Sequence, residues 1–251
     1  MTEAEARQRL DAYYAQALGY PQNRLWMPGI RLIPLVKQRP APSLFRNSAL
    51  IVHAPVMAPE ERSCAVIAHP HLLGPLRQFL AGLAVDALFE APTLERLTRL
   101  VRAQFPTASI SPDGLLIIAR FVSRETFRPF HGPESAYVER LDEHTLAHLA
   151  LISRYTGGVY ALRDAQGQVL SRAGVRYESR EVWEIGVRTE AEALRGRGLA
   201  KIVVTAATEA ILAAGRAPLY VHSATNVASQ KVALALGYQR YADELIWFLP
   251  G

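Results

Sequence analysis

The chain has 251 residues, of which 50% are apolar and 20% charged, enough for one large domain or two of ordinary size with a sizeable core. Its formal charge of +5 is carried almost wholly by arginine, since Lys37, Lys201 and Lys231 are the only lysines; this suits an anionic ligand but is too diffuse to argue for nucleic acid. A single cysteine, Cys64, excludes an internal disulfide and a cysteine-based metal knuckle, and no apolar run approaches the ~20 residues that span a bilayer.

Residues 3–18 read as an opening helix stopped by Gly19 and Pro21. The acidic start, Met1-Thr2-Glu3-Ala4-Glu5, lacks the basic-then-apolar pattern of a signal peptide, so a cytoplasmic protein without membrane association is expected. Strand-like runs follow at 30–36, 49–53 and 64–68, with the breaker-rich stretch Arg39-Pro40-Ala41-Pro42-Ser43 as a loop between the first two. Residues 71–89 and 93–104 have helical spacing, with Thr93 as an N-cap, and 115–122 reads as a buried strand. The punctuated stretch Arg128-Pro129-Phe130-His131-Gly132-Pro133 suggests a division near residue 132, giving domains 1–132 and 133–251.

Beyond it, 137–141 reads as a strand and Asp142 as the cap of a helix to about residue 153. Three successive strands, 158–163, 169–177 and 182–189, form a meander, its first turn specified by Asp164-Ala165-Gln166-Gly167. A helix over 198–214 stops at Gly215, a strand covers 219–222, a helix over 228–236 stops at Gly237, and a last strand lies near 244–249. The expected fold is α/β of the α+β type: a mixed sheet flanked by helices in the C-terminal half, preceded by a further α/β domain.

The most informative feature is the turn Arg195-Gly196-Arg197-Gly198-Leu199-Ala200, between a strand and a helix. Glycines let the main chain approach a ligand closely, while the unpaired amides and dipole of a helix N-terminus attract an anion. A P-loop requires Gly-Lys-Ser/Thr, but Leu199 and Ala200 follow Gly198. A dinucleotide fingerprint requires a third small residue where Lys201 stands, and an acidic residue at a strand tip that here reads His222-Ser223.

The third candidate fits. Arg195, Gly198 and Ala200 fill the pattern Gln/Arg-x-x-Gly-x-Gly/Ala, and Asn226, Ser229 and Leu236-Gly237-Tyr238 follow downstream. In these features residues 135–251 resemble the GNAT superfamily of acetyltransferases. The resemblance implies that acetyl-CoA is the co-substrate. Its phosphates would meet Arg195, Gly196, Arg197, Gly198, Leu199 and Ala200, and its pantetheine arm the strand residues Ile185, Val187 and Thr189. Asn226 would bond a pantetheine amide.

The same resemblance implies an N-acetyltransferase acting by direct attack of a primary amine, on a small molecule or a protein. Glu184 stands where several relatives carry a glutamate base. The tyrosine acid common in the family is replaced by Ala233, so Ser229, Tyr220 or Tyr238 would substitute, or the thiolate would leave unprotonated. That replacement also leaves open an acyl-CoA-binding sensory module without transfer. A homodimer is compatible with either reading. His69/His71 and His144/His148 lack a compelling third ligand, so no metal is expected, and Cys64 reads as a small buried hydrophobe.

Overall fold

The structure is a computed structural model that describes residues 1–35, 47–56, 62–110, 116–142, 145–146 and 155–249. The breaker stretch 39–43, most of the helix expected over 142–153, and the pair His144/His148 lie outside these residues. The elements in chain order are α1 (Glu3–Leu18), β1 (Gly29–Pro34), β2 (Ser48–Pro55), β3 (Ser63–Ala68), α2 (Leu73–Leu80), α3 (Ala91–Gln104), β4 (Ser109–Ile110) and β5 (Leu116–Phe121). Then follow β6 (Val138–Arg140), β7 (Gly158–Arg163), β8 (Val169–Tyr177), β9 (Val182–Thr189), α4 (Leu199–Ala213), β10 (Ala217–Ser223), α5 (Val227–Ala235) and β11 (Gln239–Phe248).

These elements form two compact units, neither contiguous in sequence. The first, here the N-terminal unit, comprises Asp11–Ala119, His222–Asn226 and Arg240–Gly251. The C-terminal unit comprises Met1–Leu10, Arg120–Val221 and Val227–Gln239. The division therefore differs from a single one near residue 132. The stretch expected as a linker is fastened inside the C-terminal unit, where the Arg128 N–H donates to the Leu236 carbonyl at 3.1 Å and the Phe130 N–H to Thr205 Oγ1 at 3.1 Å.

In the N-terminal unit β1 runs parallel to β3, β3 antiparallel to β2, and β2 antiparallel to β11. Every residue of β2 and β3 is buried, because both faces of this sheet are covered. Leu50, Val52 and Val66 meet Leu72, Leu76, Leu97 and Val101 on one face, while Tyr14 of α1 stacks on His53 of the other face at 4.4 Å. The helix expected over 71–89 is interrupted: α2 ends at extended Ala81, Gly82 takes φ +72°, and Asp86–Phe89 forms a 3-10 turn. Thr93 does not cap α3. The helix starts two residues earlier with Pro92 in its first turn, where no N–H is needed, and Thr93 is buried.

In the C-terminal unit the strand order is β10-β9-β8-β7-β6. The meander β6 to β9 is antiparallel and β9–β10 is parallel, as expected. The first hairpin closes as its sequence implied, with the Asp164 carboxylate accepting from the Gln166 and Gln168 amides and Gly167 at φ +79°. One face is covered by α4 through Leu199, Val203 and Ala207 and by α5 through Val232 and Ala233, with Tyr220, Leu236 and Tyr238 in the same cluster. The other carries Leu141, Leu146, Tyr155, Val159 and Ala161. Asp142 does open a helical turn, its carboxylate accepting from the Thr145 N–H at 2.7 Å. Among the described residues, no helix is long and apolar enough to cross a membrane, and no three His, Cys, Asp or Glu are grouped to hold a metal ion.

Candidate functional site

The register of β9 sets the site. It pairs with β8 as far as Thr189, but with β10 only from Val182 to Ile185. From Gly186 to Thr189 the strand is therefore open along its β10 edge. The chain then makes a 3-10 turn at Glu192–Leu194, which lengthens the connection to the helix, and the Arg195 N–H is spent on the Glu192 carbonyl at 2.9 Å.

After this residue the backbone twists into left-handed conformations, with φ +78° at Gly196 and +84° at Gly198, the N-cap of α4. A side chain at Gly198 would be strained by that φ, and its Cβ would lie 3.3 Å from the Phe130 ring. Among the described residues, the amides of Gly196, Arg197, Gly198, Leu199 and Ala200 meet no acceptor; the next, Lys201, returns to the Gly198 carbonyl at 2.9 Å. The free amides thus begin at Gly196, one residue later than the sequence implied.

Four of these residues, Gly196, Gly198, Leu199 and Ala200, line a cleft of about 700 Å³ together with both ends of the connection and α5. Of the expected residues, Thr189, Arg195, Gly196, Gly198, Leu199 and Ala200 line it. Ile185 and Val187 do not; their side chains join the core under α4, leaving the main chain as their only route to a ligand. Arg197 and Asn226 are exposed but absent from the wall, and the Asn226 N–H turns back to the Ser223 carbonyl at 3.0 Å. Val227 and Ala228, just after Asn226, line it instead.

Two lining residues the motif did not reveal are Lys201 and Lys231. Lys201 sits in the first turn of α4 with its Nζ 3.9 Å above the Phe130 ring. Their rarity was the available signal, since they are two of three lysines in the chain. Arg195 adds a third cation, 3.6 Å from Glu192, a pair too exposed to neutralise it firmly.

Glu184 lies on the opposite face of β9 from Ile185 and Val187, one residue before the strands part. Its side chain is only 12% exposed and meets Arg176 at 3.0 Å. Burial pushes its carboxyl up to about 7; Arg176 pulls it down and Glu178 pushes it up again. Ser229 shares a hydrogen bond of 2.8 Å with the Tyr220 hydroxyl. Burial pushes Tyr220 up to about 12, with the Ser229 bond acting against it, so its O–H is a donor near neutrality. Tyr238 is buried with its hydroxyl 2.7 Å from Thr208, and Ala233 is core. Neither Glu184 nor Ser229 lines the cleft. In the other unit Cys64 is buried and its thiol is pushed up to about 12 by desolvation.

A family model described as GNAT acetyltransferase matches residues 153–243. No curated protein matches the chain significantly. Among solved structures, a GNAT-family protein from Novosphingobium aromaticivorans shares 20% identity over 58% of this chain and 69% of its own, with a TM-score of 0.45. A GCN5-related N-acetyltransferase from Sphaerobacter thermophilus shares 11% identity over 78% of this chain and 79% of its own, with a TM-score of 0.48. A Drosophila protein shares 15% over 97% of this chain and 88% of its own, also at 0.48. The family match places residues 153–243 among the GNAT acetyltransferases, a family of acyltransferases.

Proposed function

We propose that the C-terminal unit transfers an acetyl group from acetyl-CoA to a primary amine, with Glu184 accepting the amine's proton. The observation that carries this reading is the run of acceptorless amides from Gly196 to Ala200 at the N-terminus of α4, of which all but that of Arg197 belong to residues lining the cleft. Charge-assisted hydrogen bonds to phosphate oxygens are worth about 1.5–3 kcal/mol each, so two or three of them with the helix dipole anchor a diphosphate without a metal. Lys201, Lys231 and Arg195 supply positive charge on the same wall. The open edge of β9 beyond Ile185 suits an amide-bearing arm that adds to the strand.

Acetyl-CoA supplies a thioester as the activated acyl group. The residues of the chain then have two tasks. An alkyl ammonium has a pKa near 10.4, so freeing its lone pair at pH 7 costs about 4–5 kcal/mol. Glu184, with a proton affinity raised to about 7 by burial, is matched to taking that proton. The Tyr220–Ser229 pair offers a hydroxyl donor for the departing sulfur. The N-terminal unit is assigned no step.

Titration calorimetry of the purified protein with acetyl-CoA tests the anchor. Saturable binding is expected, and its absence would end the proposal. Gly198→Glu is expected to weaken binding by about 100-fold, or near 2.7 kcal/mol, by setting bulk and negative charge against the phosphates.

A further inference from the structure

Glu184 does not own its counter-ion. Arg176 Nη2 donates to the Glu184 carboxylate at 3.0 Å, while Arg176 Nε makes an ionic contact with Glu178 at 2.9 Å, out of line for a hydrogen bond. Both carboxylates are withdrawn from water, Glu178 at 3% and Glu184 at 12% exposure. The arrangement is imposed by the β8–β9 hairpin. Register places Arg176 directly across from Glu184, and Glu178 stands two residues beyond Arg176, where the hairpin turns. Ser179 closes that turn, its N–H donating to the Val182 carbonyl at 3.0 Å and its hydroxyl accepting from the Val182 amide at 2.9 Å.

The neighbouring charges are committed elsewhere. Glu181 pairs with Arg9 and Arg216, and Glu190 with Arg172 and Arg188. Across β9, Leu219 of β10 faces Glu184, and Tyr155 covers the neighbouring pair Gly174 and Gly186. Among the described residues, Arg176 and Glu178 are thus the charges that act on Glu184. Two carboxylates facing one guanidinium leave a surplus negative charge in a nearly dry place, which one proton relieves.

We propose that Glu178 is a positioning residue of the transfer reaction: by holding half of Arg176, it keeps the guanidinium from neutralising Glu184 and so sets the pH at which Glu184 takes up the acceptor's proton. The inference rests on Glu184 being the base. Had Arg176 served Glu184 alone, the ion pair would hold that carboxylate ionised and make it a weak proton acceptor. Sharing restores its basicity: burial raises the Glu184 carboxyl most, and Glu178, by its charge and by a hydrogen bond to Glu184 itself, raises what Arg176 lowers.

The test is a direct titration that needs no acceptor. Protein carrying carbon-13 at the glutamate carboxyl is titrated by NMR, with the Glu184 signal assigned by its loss in Glu184→Gln. Removing one carboxylate in Glu178→Gln is expected to lower the Glu184 midpoint by about one pH unit, and removing the shared cation in Arg176→Gln to raise it by a similar amount. Either folded variant is sufficient for the test, and a wild-type midpoint in either one overturns the proposal. Failure of the underlying assignment reads differently: Glu184→Gln would release thiol from acetyl-CoA at the wild-type rate with a mixture of primary amines.

Discussion

Glu184 couples the proposed chemistry to pH. As a base it works ionised, so kcat/KM is expected to fall as pH drops through about 7, and Glu184→Gln to lose about 100-fold in kcat with binding of acetyl-CoA retained. A pH–rate profile on both proteins checks this. The same group leaves a mark on stability. Its folded pKa lies above the ordinary carboxylate value, so the native state binds more protons than the unfolded one between these limits. Its contribution to stability is complete below the ordinary range and is lost as pH rises through about 7. At this scale the sequence was readable where chemistry follows from neighbours along the chain. Gly196 and Gly198 were recognisable because a left-handed backbone beside a helix start calls for glycine. Glu178 was not, because its link to Glu184 depends on which residue of β8 faces which residue of β9. Asn226 followed from a pattern, and the residue is not among those lining the cleft.

Elements were legible to the extent that local punctuation decides them. The strands of the C-terminal meander and the ends of α4 and α5 match their sequence signals because glycines and alternating apolar residues mark them. The interruption after α2 was hidden, since 71–89 keeps helical spacing although Ala81 is extended and Gly82 takes φ +72°. The parting of β9 from β10 was equally invisible, being a property of two strands and not of one. Gly237 joins both kinds of information. As a helix stop it was evident: it takes φ +81°, and the Tyr238 N–H reaches back to the Ala233 carbonyl at 2.9 Å. A distant segment makes it obligatory, for a Cβ there would lie 1.9 Å from the Thr126 carbonyl oxygen. Gly237→Ala is therefore expected to cost about 3 kcal/mol or more, the sum of backbone strain and a displaced main chain. Urea denaturation followed by circular dichroism measures it, and a loss below 1 kcal/mol would contradict the packing described for this corner.

For the molecule as a whole, what matters is that neither unit is one continuous stretch of chain. A division near residue 132 was a natural reading of the Pro- and Gly-rich stretch there, but long-range strand exchange leaves no local trace. The fully buried β2 needs β11, which pairs with it from Pro55 to Ser48. A fragment of residues 1–132 is accordingly expected to be insoluble or unfolded, with a bare apolar strand edge. Its recovery as a soluble species with cooperative thermal unfolding would refute this. The placement of β11 also bears on biosynthesis. On the ribosome β2 is made well before β11, so the N-terminal sheet stands unfinished while the intervening C-terminal unit is translated. Throughout that interval the edge of β2 lacks the partner that covers it, which exposes the nascent polypeptide to aggregation.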